Sequence, residues 1–214
     1  EIDTIRQYFP HVDVLQENAA NKSAVANHLL QTIHCIHFSG HSYFNLSSPL
    51  KSALILSDAI NSQNIDLSKC LTLAEIFNLN LSECRLVTLS SAETALTDFT
   101  NLSDEYISFP SAFIVAGSTS VVGSFCSSSD LSTSLLMINF YENIHIGITV
   151  IVALNQAQIW LREVTKLELQ KWILTIEMSP TLKMSLRRRF YSLPDNTQPF
   201  REPFYWAAFS VIGA

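Results

Sequence analysis

The chain has 214 residues, 48% hydrophobic and 15% charged, a composition that fits a well-buried globular domain and excludes a disordered one. Its formal net charge of −6 gives no electrostatic reason to expect nucleic acid or an anionic membrane as partner. The apolar runs are too short, or too interrupted by charge, to read as a transmembrane helix or a secretory leader.

Ile2, Ile5 and Phe9 recur at helical spacing until Pro10 ends the pattern, and residues 12–15 read as a short strand. Asn21 is placed to cap a helix running to Leu30. Residues 33–38 are an almost continuous apolar run, the pattern of a strand covered on both faces. Residues 50–56 add a strand or hairpin arm, 61–69 a polar loop and 71–77 a short helix. A second core strand spans 86–89. Residues 104–116 suit a buried helix in which Pro110 marks a kink, and 119–125 give a third core strand. Amphipathic helices follow over 130–145 and from Thr149 through Val164. Two more, 167–176 and 182–191, are separated by Pro180, and a Pro-containing loop over 195–203 leads to a last aromatic strand, 204–212. Strands alternating with helices predict an α/β sandwich around a mostly parallel sheet, as one domain over residues 1–214. The chain opens at Glu1 without a methionine and already in helical pattern, which suggests a piece of a longer protein.

Four cysteines, Cys35, Cys70, Cys84 and Cys126, show neither Cys-x-x-Cys pairing nor zinc-like spacing. Cys35 in an apolar strand and Cys126 closing another read as buried small hydrophobes, and the set suggests a reducing, cytoplasmic compartment. The dense basic run Arg187-Arg188-Arg189 reads as a solvated helix end.

Two strand ends draw the attention. Residues 33–38 stop in Ser39-Gly40-His41-Ser42, and residues 86–89 stop in Ser90-Ser91-Ala92-Glu93. Catalytic groups gather at the carboxyl ends of strands in open α/β sheets, so a histidine at one end and a nucleophile at the other would make a catalytic pair. His34 and His37 lie three apart in one strand and face opposite ways, with no carboxylate or cysteine at ligand spacing. No metal or other cofactor is expected, and His37 reads as a hydrogen-bonded core histidine.

Together these stretches resemble the CHAT domains, a branch of the caspase-like cysteine peptidases often attached to tetratricopeptide arrays. The first family site, roughly Leu-His-Phe-Ser/Ala-Cys/Gly-His-Gly-x-Phe, is matched by Ile36-His37-Phe38-Ser39-Gly40-His41-Ser42-Tyr43-Phe44. The second, Leu-Val-x-Leu-Ser-Ala-Cys-Glu-Thr-Gly, is matched by Leu86 to Ala95. Asp104-Glu105-Tyr106, Ala116-Gly117-Ser118, Val121-Val122, Asp130-Leu131-Ser132-Thr133 and Phe140-Tyr141 continue the match in order. Ala153 to Gln158 and Pro203 to Phe209 carry it to the end.

The resemblance implies a caspase-like three-layer sandwich with helices on both faces of the sheet, and a Cys–His dyad mechanism. His41 would activate the thiol and protonate the leaving amine, and the backbone N–H groups of Ser42 and Ala92 would hold the oxyanion. Asp130 matches an acidic position that faces the substrate in some relatives, although it also stands where a helix N-cap belongs. Glu93 matches too, with no clear role. The partners implied are a peptide or protein substrate or a partner domain, with an upstream repeat array.

The departures bear on activity. Ala92 stands where the family keeps its cysteine, and a methyl group attacks nothing. Cys84 lies about eight residues, or about 25 Å of extended strand, from that position. Ser90 and Ser91 are the nearby hydroxyls and leave a serine-dependent hydrolase as a minor alternative. Ser42 replaces a glycine, which would restrict the oxyanion turn if that residue needs positive φ; Ala95 replaces another glycine, and Cys126 a tryptophan. An introduced cysteine-to-alanine change would account for Ala92 alone and would leave a disabled endopeptidase. Several changes lining one site point instead to natural decay into a pseudopeptidase that binds or regulates other proteins.

Overall fold

The computed structural model describes residues 1–45, 47–61, 64–90, 108–126 and 128–213. They form two compact units, one of Asp13–Ser127 with Phe209–Ala214 and one of Glu1–Val12 with Ser128–Ala208.

The chain starts with α1 (Ile2–Ile5) and a 3-10 turn, Arg6–Tyr8. Residues 12–15 form no strand: Val12 is exposed, and a short apolar stretch without a ladder partner stays irregular. The first unit then opens with α2 (Lys22–Leu29), whose cap is Asn21, its Oδ1 accepting the Ala24 N–H at 3.0 Å. Next come β1 (Cys35–Ser39), β2 (His41–Tyr43) and β3 (Ala53–Ile55). The stretch expected to be a polar loop holds a small hairpin, β4 (Ile60–Asn61) and β5 (Asn64–Ile65), because Ile60 and Ile65 pair across it. The remaining elements of this unit are β6 (Leu71–Thr72), α3 (Leu73–Phe77), β7 (Leu86–Ser90), α4 (Phe109–Val115), β8 (Ser120–Ser124) and, after the second unit, β9 (Phe209–Gly213).

Pro110 makes no kink. It sits in the first turn of α4 behind the Ser108 cap, where a missing N–H leaves no bond unmade.

The main sheet runs β1-β7-β8-β9, with β1 and β8 parallel to β7 and β9 antiparallel to β8. A second sheet, β2-β3-β6, is antiparallel. Every residue of β7 and β8 is buried, as expected of central strands. Val87, Leu89 and Val121 share one core cluster with Leu73, Ile76, Phe109 and Phe113, and Ile36 and Phe38 pack at its margin. By strand alternation Cys35, His37 and Ser39 point to the other face of β1. This strand is an edge and only half-buried, which corrects the expectation that it is covered on both faces. An apolar run does not by itself distinguish an edge from a central position.

The second unit is helical: α5 (Asp130–His145), α6 (Val150–Glu163), α7 (Lys166–Thr175) and α8 (Pro180–Arg189). Trp172 Nε1 donates to Glu142 Oε2 at 2.8 Å, tying α7 to α5, and Phe9 meets Tyr141 edge-on. The stretch 204–212 is not one strand. Pro203 starts a 3-10 turn, Pro203–Tyr205, and Trp206 is held back by its indole donating to Arg201 O and its carbonyl accepting from Gln158. The class is therefore α/β, with a mixed, mostly parallel sheet flanked along the chain by helices. Among the described residues no helix is long and apolar enough to cross a membrane.

Candidate functional site

The parallel ladder between β1 and β7 aligns the two strand ends. Cys35 is the partner of Leu86, His37 of Thr88 and Ser39 of Ser90. Paired residues in a ladder share a face, so Ser39 and Ser90 stand side by side where both strands finish. A single residue, Gly40, separates Ser39 from His41, which opens β2 in the second sheet opposite Ile55. Gly40 lies against its own strand, since a Cβ there would sit 3.0 Å from Phe38 Cζ. His41 is exposed at this junction of the two sheets.

Ser42 is half-buried opposite Leu54 in the β2–β3 ladder. Among the described residues Glu17 is the one non-glycine with positive φ, so Ser42 adopts ordinary extended backbone. The side chain that replaces glycine is accommodated here without strain.

Ser90 is buried, and its Oγ has no hydrogen-bond partner among the described residues. Residues 91–107 lie outside the described residues, and with them Ser91, Ala92, Glu93, Ala95 and the Asp104-Glu105-Tyr106 match. Cys84 is buried at the start of the strand, its Sγ 3.5 Å from Leu86 O, and burial pushes its thiol up. Burial also raises the Cys70 thiol. Cys35 is half-buried, and Cys126 is exposed rather than buried, because it lies beyond the last residue of β8.

Asp130 is not a helix cap. The cap position of α5 is Ser129, and Asp130 is the first helical residue, exposed in the first turn where a carboxylate favours the helix dipole. It belongs to the second unit, whereas His41 and Ser42 belong to the first. The second unit also carries an open groove of about 1000 Å³ lined by Trp160, Arg162, Glu163, Thr165, Glu168 and Arg201. Its charges are partly spent internally: Arg162 pairs with Glu163 and lies over Trp206, and Glu168 closes the cap of α7. Among the described residues no group of three or more His, Cys, Asp or Glu side chains is placed to hold a metal ion.

Sequence reasoning identified both strand ends but not the register that joins them, nor the burial of Ser90. Pairing between segments so distant in the chain leaves no local periodic mark.

A sequence model of the CHAT domain matches residues 1–214, the whole chain. The chain belongs to the CHAT domain family. This family is related to the caspase-like peptidases, and the aligned ends of β1 and β7 are where the CHAT resemblance places its two site motifs. A comparison with curated proteins finds no match.

Proposed function

We propose that this CHAT domain is a pseudopeptidase, a protein-binding or regulatory module that keeps the histidine of a peptidase site and lacks its nucleophile. The observation that carries the reading is Ala92, which stands where the family resemblance places a cysteine. Without a thiolate no acyl intermediate forms, and His41 has no proton to take. The shared register of β1 and β7 supports a site built from both strand ends, with Ser42 and Ala92 supplying oxyanion N–H groups; a substrate-facing role for Asp130 rests on the family resemblance alone. Ser90 fits poorly as a substitute nucleophile, since its Oγ is shut from solvent. The occupant is a peptide segment of a partner protein or neighbouring domain. A cytoplasmic location is part of the proposal, supported by cysteines that show no Cys-x-x-Cys pairing.

The test compares the chain as it stands with an Ala92→Cys variant on a mixed peptide library, each with and without His41→Ala. The proposal expects no cleavage by the unaltered chain and retention of a peptide subset on it. Cleavage by Ala92→Cys that depends on His41 supports a site intact except for its nucleophile. Turnover by the unaltered chain overturns the reading, and so does a cysteine codon at position 92 of the native gene.

A further inference from the structure

The basic run at the end of α8 leads directly into an exposed hydroxyl. Arg187, Arg188 and Arg189 form the last turn of the helix, and all three are exposed. Phe190 is buried and meets Phe200 edge-on, which anchors the chain just before it leaves the surface. Tyr191 is 80% exposed, and Ser192 is exposed beside it in the turn that follows. Ser192 therefore carries guanidinium groups five, four and three residues before it, with apolar Leu193 immediately after. The nearby Asp195 carboxylate does not neutralise them, because it pairs with Lys166 Nζ at 2.6 Å.

We propose that Ser192 is the phosphoacceptor of an arginine-directed serine/threonine kinase. Such a kinase selects its substrate by carboxylates that grip the planar guanidinium fork, and the spacing of Arg187 and Arg189 before Ser192 supplies two forks. The γ-phosphoryl group of Mg-ATP is transferred. Ser192 Oγ forms the new P–O bond, the bond to the bridging oxygen breaks with its electron pair leaving on ADP, and the hydroxyl proton passes to the kinase's catalytic carboxylate.

Kinases take their substrates extended, so the turn must open. Two backbone bonds close it, Tyr191 N–H to Arg188 O and Leu193 N–H to Phe190 O, each 3.2 Å. They sit at the exposed end of α8, where backbone bonds open locally at less cost than in a helix interior. Once added, the phosphate stands four and three residues after Arg188 and Arg189 and puts negative charge next to a cationic helix end.

The experiment incubates the purified whole chain with Mg-ATP and a kinase that selects arginine five and three residues before its acceptor, and maps phosphate by mass spectrometry. The expected result is phosphate on Ser192, abolished by Ser192→Ala. The Arg187→Ala/Arg189→Ala double variant, which keeps the acceptor, should be modified about tenfold or more slowly. Unchanged thermal melts establish that the variants fold. A peptide of residues 185–196 reports that the kinase is active. Modification of the peptide but not of the folded chain overturns the proposal, as does a rate indifferent to the two arginines. Phosphate confined to Ser179, which precedes Pro180 and caps α8 through the Leu182 N–H, overturns it as well.

Discussion

Ser39 and Ser90 are ladder partners at the carboxyl ends of two adjacent parallel strands. His41 follows the first by two residues and Ala92 follows the second by two. On the proposed reading of the site, a thiol at position 92 feels the imidazole of His41. In Ala92→Cys the midpoint for iodoacetamide alkylation should fall below the ordinary cysteine value of about 8.5, because an adjacent imidazolium favours the thiolate. Adding His41→Ala should return the midpoint toward that value. A midpoint indifferent to His41 would separate the two strand ends chemically.

Ser90 offers a second test. A buried hydroxyl without a partner costs about 1–3 kcal/mol of desolvation, and alanine removes the hydroxyl at little change in volume. Ser90→Ala should leave the melting temperature unchanged or raise it. Fluorophosphonate labelling should be identical in the two proteins, since a closed hydroxyl attacks nothing. A clear loss of stability would mean that the hydroxyl is bonded after all.

The elements that were legible in the sequence are those that carry their signal locally. The bounds of α5 follow from Leu131, Leu135, Ile138 and Tyr141 on one helical face, with Gly147 at positive φ just beyond. Asn21 announces α2 because its carboxamide competes for the Ala24 N–H. What escaped was relational. Ile36 and Phe38 give β1 one apolar face, and nothing in them tells whether another strand lies alongside. The β4–β5 hairpin has two residues in each arm, too few for any period to register. Aromatic Phe204, Tyr205 and Trp206 look like the start of β9 but are taken into the turn begun by Pro203. Both site motifs were readable as motifs, whereas their alignment by Ser39 and Ser90 is a property of the ladder.

Glu75 makes stability depend on pH in one direction. Burial alone would push its carboxyl up. The ammonium of Lys22, 2.7 Å away, and the backbone N–H and hydroxyl of Thr72, at 2.8 and 2.7 Å, together hold it below the usual carboxylate range. The folded state therefore binds this proton less readily than the unfolded chain. The contribution is complete above the ordinary glutamate value of 4.5 and is lost as pH falls through the lower folded value. Glu75→Gln keeps an amide oxygen to accept the Thr72 bonds and removes only the charge, so it should cost about 0.5 kcal/mol at neutral pH, with solvent screening keeping the ion-pair share small. Chemical denaturation should show the difference between the two proteins shrinking in acid. A difference that does not change between neutral and acid pH would mean that the ionised carboxylate contributes nothing.

Gly117 and Gly147 both adopt positive φ, +112° and +89°, yet their surroundings differ. Gly117 ends α4 in a Schellman arrangement, with its N–H on Ile114 O and the Ser118 N–H on Phe113 O, both at 3.0 Å. A Cβ there would meet backbone atoms, Ser82 N at 3.0 Å and Leu81 C at 3.1 Å, in a segment itself fixed by the Leu81 N–H on Ala116 O at 2.7 Å. At Gly147 a Cβ meets nothing within 4 Å. Alanine at 147 should cost only the conformational penalty, about 1 kcal/mol. Alanine at 117 adds a contact that neither backbone relieves, so its cost should exceed about 2 kcal/mol and its melting temperature should fall by at least about 4 °C. Equal losses at the two positions would show that φ alone sets the penalty and that the turn after α4 yields to the added methyl.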